Sequence, residues 1–144
     1  MTEQTVVLIK PDGVKKHVIG KIIDRFESKG LVISQLQMVQ LTQELLDVWY
    51  AHHKDKPFFP ELSKFMMSTP VVAMVVEGKG AIKKVFDICG PTDPAEAKPG
   101  TIRKDFGQSK SNNVVHRSDS AEAAKKEIEL LFSDACECGD CDCC

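Results

Sequence analysis

Two unbroken apolar runs rich in β-branched residues, TVVLIK at 5–10 and PVVAMVV at 70–76, constrain this chain more than any other feature. Each has the form of a buried strand, and the first is stopped by Pro11-Asp12-Gly13, which reads as a turn. Beyond that turn Ile19, Ile22, Ile23 and Phe26 recur at helical spacing, Lys21, Asp24, Arg25 and Glu27 take the other face, and Gly30 supplies the stop. Val32, Leu36 and Met38 then fall on one parity against Gln35 and Gln37, which predicts a half-buried strand to about Leu41. Thr42 has the chemistry of an N-cap for a helix through Tyr50, and a further helix is predicted at about 61–67. After the second run, 81–88 reads as a helix ended by Gly90-Pro91, 91–100 as a loop, 101–106 as a helical turn and 113–116 as a last short strand. Asp119, with Glu122 three residues later, caps a final helix to Phe132 whose buried face carries Ala121, Ala124, Ile128 and Leu131. The order β-α-β-α-α-β-α-β-α contains two strand-helix-strand units. It predicts an α/β fold of the ferredoxin-like sandwich type, an antiparallel four-stranded sheet with helices on its surface, since a doubly wound parallel sheet would want more strands.

At 144 residues the chain is long enough for one globular domain. Nineteen basic and twenty-one acidic side chains give a net charge of -2, which argues against a non-specific nucleic-acid binder. No apolar run approaches the roughly 18 residues that span a bilayer, and the N-terminal residues carry no signal-peptide pattern, so the expected setting is cytoplasmic and membrane-free. Five of the six cysteines, Cys136, Cys138, Cys141, Cys143 and Cys144, crowd the last nine positions. That composition shift divides a body at 1–135 from a Cys-rich acidic tail at 136–144. The tail has thiols enough for a soft metal such as zinc or copper(I) but lacks paired CxxC modules, and its expected state is disordered and oxidisable.

A P-loop, a GxGxxG after a strand and a GxSxG elbow are all absent from the sequence. His17, in a basic turn, and His52 and His53, in a charged helix-end segment, read as solvated surface. His116 differs, because it ends the run Val114-Val115 just before Ser118-Asp119-Ser120, at a strand-to-helix corner whose backbone N–H groups favour an anion. An imidazole beside an anion site can act as a nucleophile toward a phosphoryl group; the alternative is a histidine satisfied by a strand-end carbonyl. Lys10 follows the first strand directly. Thr92, Lys98, Thr101, Arg103 and Asn113 precede His116 and offer the donors that a triphosphate and a ribose need, although such loops are also ordinary surface. Phe58 and Phe59 are either core anchors or a platform for a base.

The motifs KPDGV at 10–14, KDKPFF at 54–59, PVVAM at 70–74, TDP at 92–94, KPGTIR at 98–103 and NVVHRSDS at 113–120 resemble nucleoside diphosphate kinases, in order and from about Thr5 to Phe132. That resemblance implies homotetramers or homohexamers, and transfer of the terminal phosphate of a nucleoside triphosphate to a nucleoside diphosphate through a phosphohistidine. It implies that His116 is the nucleophile, Glu127 the carboxylate that poises it, and Ser118 part of the same hydrogen-bond set. Lys10 would bridge sugar hydroxyls and phosphates, Tyr50 would sit beside the histidine, Thr92 and Arg103 would hold phosphates, Asn113 would contact the sugar and Phe58 would stack on the base. Magnesium (Mg2+) would arrive with the nucleotide, bridging its phosphates, without a protein cage.

Three positions depart from the family pattern. Phe86 stands where an arginine usually meets the phosphates, which removes one contact unless Lys83 or Lys84 swings in. Lys110 replaces a small apolar residue beside the base, and Arg117 replaces a small residue after the histidine. The rival reading is a non-catalytic nucleotide-binding or metal- and redox-sensing module on the same fold.

Overall fold

The computed structural model describes residues 2–51, 55–109, 112–118 and 120–132. Its sheet has the order β2-β3-β1-β4, built from β1 (Thr2–Ile9), β2 (Val32–Val39), β3 (Val71–Lys79) and β4 (Val115–Arg117), with all neighbours antiparallel. This is the ferredoxin-like α/β sandwich. The two apolar runs are its central strands, paired from Thr2↔Lys79 to Ile9↔Val72. They need no polar alternation because helices cover both faces. Val7, Ile9, Val72, Met74 and Val76 pack with Ile22 and Phe26 of α2 (Ile19–Glu27) and with Val85 and Ile88 of α5 (Ala81–Cys89). Val6, Leu8, Val71, Ala73 and Val75 pack with Leu46 of α3 (Gln43–Trp49), Met66 of α4 (Phe59–Met66) and Leu131 of α7 (Ala121–Phe132).

Four local expectations are corrected. Pro11-Asp12-Gly13 opens a short helix, α1 (Pro11–Lys15), instead of a turn, because Pro at the first helical position has its φ preset and lacks an N–H that would be orphaned there anyway. β2 does not bury Val32, Leu36 and Met38, which are 55%, 54% and 57% exposed. Leu36 and Met38 pair with Met74 and Val72 and so lie on the α2/α5 face, but at the sheet edge no helix covers them; an irregularity between Ile33 and Gln35 breaks the parity that linked Val32 to them. The last strand begins at Val115, two residues later than expected. Ala121 is exposed, not buried. The cap expected from Asp119 falls outside the described residues. Ser120 performs that role, its hydroxyl accepting from the Ala123 N–H at 3.1 Å and its carbonyl from the Ala124 N–H at 2.9 Å.

Candidate active site

The approach to β4 is locked onto the end of β1. The Lys10 N–H donates to the Val114 carbonyl at 2.8 Å, and the Val114 N–H donates to Asp12 Oδ2 at 3.0 Å. Val114 has φ 63°, the left-handed region that a β-branched residue rarely enters, and these bonds on both sides hold it there. Gly13 permits the contact, since a Cβ on it would meet Ile9 Cγ2 at 2.9 Å and the Val114 carbonyl at 3.1 Å. Asp12 and Val114 are thus positioning residues that sequence reasoning missed, although Asp12 lies inside the KPDGV motif.

Immediately beyond that kink, His116 turns toward α7. Its Nε2 lies 3.3 and 3.4 Å from the two carboxylate oxygens of Glu127, slightly beyond the ordinary N–H···O range of about 2.7–3.2 Å. Glu127 is itself held: the Ser118 hydroxyl donates to Oε1 at 2.7 Å while accepting from the Val6 N–H at 3.2 Å. The chain Val6, Ser118, Glu127, His116 therefore ties the imidazole to the central sheet. A carboxylate at Nε2 favours the tautomer protonated there, which leaves the lone pair on Nδ1. Trp49 meets the imidazole edge-on with ring centroids 5.3 Å apart, another neighbour that sequence reasoning did not name. Tyr50 stacks beside Trp49, and burial followed by the Glu127 charge pushes its phenol up to about 12, so it stays protonated. A cleft of about 810 Å³ opens here, lined by Trp49, Tyr50, His116, Ser120, Lys126 and Glu127 among others.

Two cations lie close to the start of the same strand. Lys10 Nζ donates to Asn113 Oδ1 at 2.9 Å, and Asn113 Nδ2 donates to the Thr92 carbonyl at 3.0 Å. Burial is the main reason that the Lys10 ammonium falls to about 8; Asp12 opposes the shift and Arg103 adds to it. Arg103 is buried and spans two elements, Nη1 donating to the Gly90 carbonyl at 3.0 Å and Nη2 to the Val115 carbonyl at 2.9 Å. Its α6 (Ile102–Phe106) is capped by the Thr101 hydroxyl. Lys10, Asn113 and the Thr92 carbonyl thus meet at the approach to β4, and Arg103 reaches the strand itself at Val115, the residue before His116. The two phenylalanines part company: Phe59 belongs to the core, whereas Phe58 at the start of α4 is 49% exposed. His17 is exposed, and His52, His53, Lys110 and the cysteine tail fall outside the described residues.

A sheet-anchored imidazole at the end of a ferredoxin-like sheet, with buried cations nearby, belongs to a phosphotransferase, and comparison with known proteins narrows that class. The family model for nucleoside diphosphate kinase matches residues 3–136. A nucleoside diphosphate kinase of Staphylothermus marinus is 55% identical over 133 residues, spanning 92% of this chain and 94% of that protein. Among solved structures, the Aquifex aeolicus nucleoside diphosphate kinase superposes with a TM-score of 0.87 at 46% identity, over 92% of this chain and 96% of that one. A halophilic nucleoside diphosphate kinase from Halobacterium salinarum in complex with CDP gives 0.88 at 43% identity, over 93% and 90%. The chain belongs to the nucleoside diphosphate kinase family.

Proposed function

We propose that this chain moves the terminal phosphate of a nucleoside triphosphate to a nucleoside diphosphate by a ping-pong route through His116. The observation that carries this reading is the Ser118–Glu127–His116 chain, which holds Nε2 and leaves Nδ1 as the nucleophile. The Nδ1 lone pair attacks the terminal phosphorus, the bond from phosphorus to the bridging oxygen breaks, and the diphosphate leaves with that electron pair. In the second half the same phosphoryl group passes from Nδ1 to a terminal oxygen of another diphosphate, and the imidazole returns to its starting form. The positive charge that the ring gains while phosphorylated is balanced by Glu127 across Nε2. Because one group is stored on the enzyme between two substrates, one site serves donor and acceptor in turn.

Lys10 and Arg103 supply positive charge for the phosphates, Thr92 and Asn113 supply polar contacts to phosphate and sugar, and exposed Phe58 suits stacking on a base without reading its edge. Tyr50, held protonated, is a neutral donor beside the histidine. The charged groups assigned to the nucleotide, Lys10 and Arg103, are cations that suit phosphate oxygens and would leave magnesium to be borne on those phosphates. Magnesium supplies charge neutralisation of those phosphates when bound, and Lys10 and Arg103 would flank it.

The proposal extends to assembly and organisation. A homotetramer or homohexamer is supported by the bare apolar edge of β2, where Leu36 and Met38 stand exposed. The division into a catalytic body at 1–135 and a cysteine-rich tail at 136–144 is supported by the family match ending at residue 136. Among the described residues no helix is long and apolar enough to cross a membrane, and residence in the cytoplasm is the compartment proposed. The decisive test incubates the chain with radiolabelled ATP and magnesium. An acid-labile, base-stable label that His116→Ala abolishes is expected; no label on wild type, or equal label on the variant, overturns the mechanism.

A further inference from the structure

The hydrogen bond that reaches the His116 imidazole is a loose grip. It is shared between the two Glu127 oxygens at 3.3 and 3.4 Å, so by itself it leaves the ring room to tilt and to turn about the Cβ–Cγ bond. Turning matters for a nitrogen nucleophile. Half a turn puts Cδ2 where Nδ1 stood and Cε1 where Nε2 stood, and neither carbon offers a lone pair to phosphorus or an N–H to the carboxylate.

A second support comes from α3, along a ladder of rings that starts in the core. Phe59 is buried with Leu46, Met66 and Leu131, and the Tyr50 ring meets it at 6.5 Å with 65° between the planes. Tyr50 is the C-cap of α3, its N–H donating to the Leu46 carbonyl at 2.9 Å, and it stacks on Trp49 at 6.0 Å with only 12° between the planes. Trp49 then stands nearly perpendicular to the imidazole, at 83° and 5.3 Å between centroids, within the range at which perpendicular rings attract. Leu46, one helical turn before Tyr50, is fully buried, so the end of α3 that carries the indole rests on the core. Glu127 thus approaches the nucleophile from α7 and Trp49 approaches it from α3, and both line the cleft at His116.

We propose that Trp49 is a positioning residue for phosphoryl transfer, its ring holding the His116 imidazole in the one orientation that presents Nδ1 to the phosphate while Nε2 keeps Glu127. The indole takes no proton and forms no bond in the reaction. Its effect is on the share of time that the nitrogen spends correctly aimed, which enters the rate directly. The two supports divide the work: the carboxylate selects the tautomer, and the packed ring fixes the plane in which that tautomer is presented.

This inference rests on the phosphohistidine reading of the site, and one of its two measurements needs no turnover. In quenched-flow uptake of label from radiolabelled ATP with magnesium, Trp49→Ala should slow phosphorylation of His116 by about three- to tenfold, the range of one aromatic pair, with calorimetric ADP affinity unmoved. Trp49→Phe keeps a ring in place and should recover most of the rate, whereas Trp49→Leu, apolar but without a ring, should not. Nitrogen-15 NMR of the resting protein, with the His116 signals identified by their loss in His116→Ala, should show Nε2 protonated and Nδ1 bare in wild type and in Trp49→Phe. In Trp49→Ala the two shifts should draw together as the loosened ring leaves Glu127, a change that a residue merely steadying the fold would not produce. Should Trp49→Ala fail to fold, Trp49→Leu against Trp49→Phe reads the same comparison. An unchanged rate or unchanged nitrogen shifts in the variant without a ring, or an equal loss of rate and ADP affinity, overturns the proposal. Failure of wild type to take up label at His116 sinks the catalytic reading instead, and the nitrogen shifts still decide whether Trp49 holds the ring.

Discussion

The sheet has two edges, and the chain treats them in opposite ways. β4 is three residues long, begins after a residue with φ 63°, and is flanked on one face by His116 with Glu127 and on the other by Arg117 with Phe86. β2 runs for eight residues, carries an irregularity, and presents Leu36 and Met38 to solvent. A short edge offers little backbone for pairing, so side chains at its end can be aimed by neighbouring elements and used for chemistry. A long bare edge offers a template for another chain and little precision. Chemistry-bearing side chains therefore gather where the strand is cut short, and exposed apolar ones where it is left long.

That contrast can be broken from the β4 side first. His116→Ala should abolish the phosphoenzyme altogether, read by the acid-labile label. Glu127→Gln should keep nucleotide binding and lower kcat by about a hundredfold, the range of a positioned proton-holding group, in stopped-flow measurement of the first half-reaction. Lys10 gives a pH signature. Its ammonium is lost as pH rises through about 8, so KM should climb roughly tenfold between pH 7 and pH 9, and Lys10→Arg should flatten that rise. Gly13→Ala forces a Cβ against Ile9 and the Val114 carbonyl, and should lower stability by about 1–3 kcal/mol in denaturant titration while disturbing the β4 end. The β2 side should respond differently: Leu36→Glu with Met38→Glu should change the stability of a subunit by less than about 0.5 kcal/mol yet shift sedimentation toward monomer. A pair that left the assembly intact would remove association from that edge.

The central strands were legible because burial on both faces leaves an unbroken apolar run, which needs no tertiary information to recognise. The outer elements were not. Whether Leu36 is buried depends on whether a helix reaches the sheet edge, and local pattern carries no trace of that. Phe58 and Phe59 are identical in type and adjacent, yet one helix start sends the first outward and the second into the core. For the site, His116, Ser118 and Glu127 meet through side-chain hydrogen bonds, Lys10 meets Asn113, and Tyr50 lies against Trp49. Their supports lie at long sequence separation. Asp12 meets Val114, and Phe86 meets Arg117, and neither partnership leaves a local periodicity.

One neighbour of the nucleophile has an optical consequence. Trp49 is the sole tryptophan of the chain, and its ring stands 5.3 Å from the His116 imidazole. An indole's emission responds to charge placed nearby, so adding a phosphoryl group to that imidazole should alter the fluorescence of the native protein. The enzyme carries its own dye at the reacting centre, and each half of its cycle can be followed in real time with no label at all.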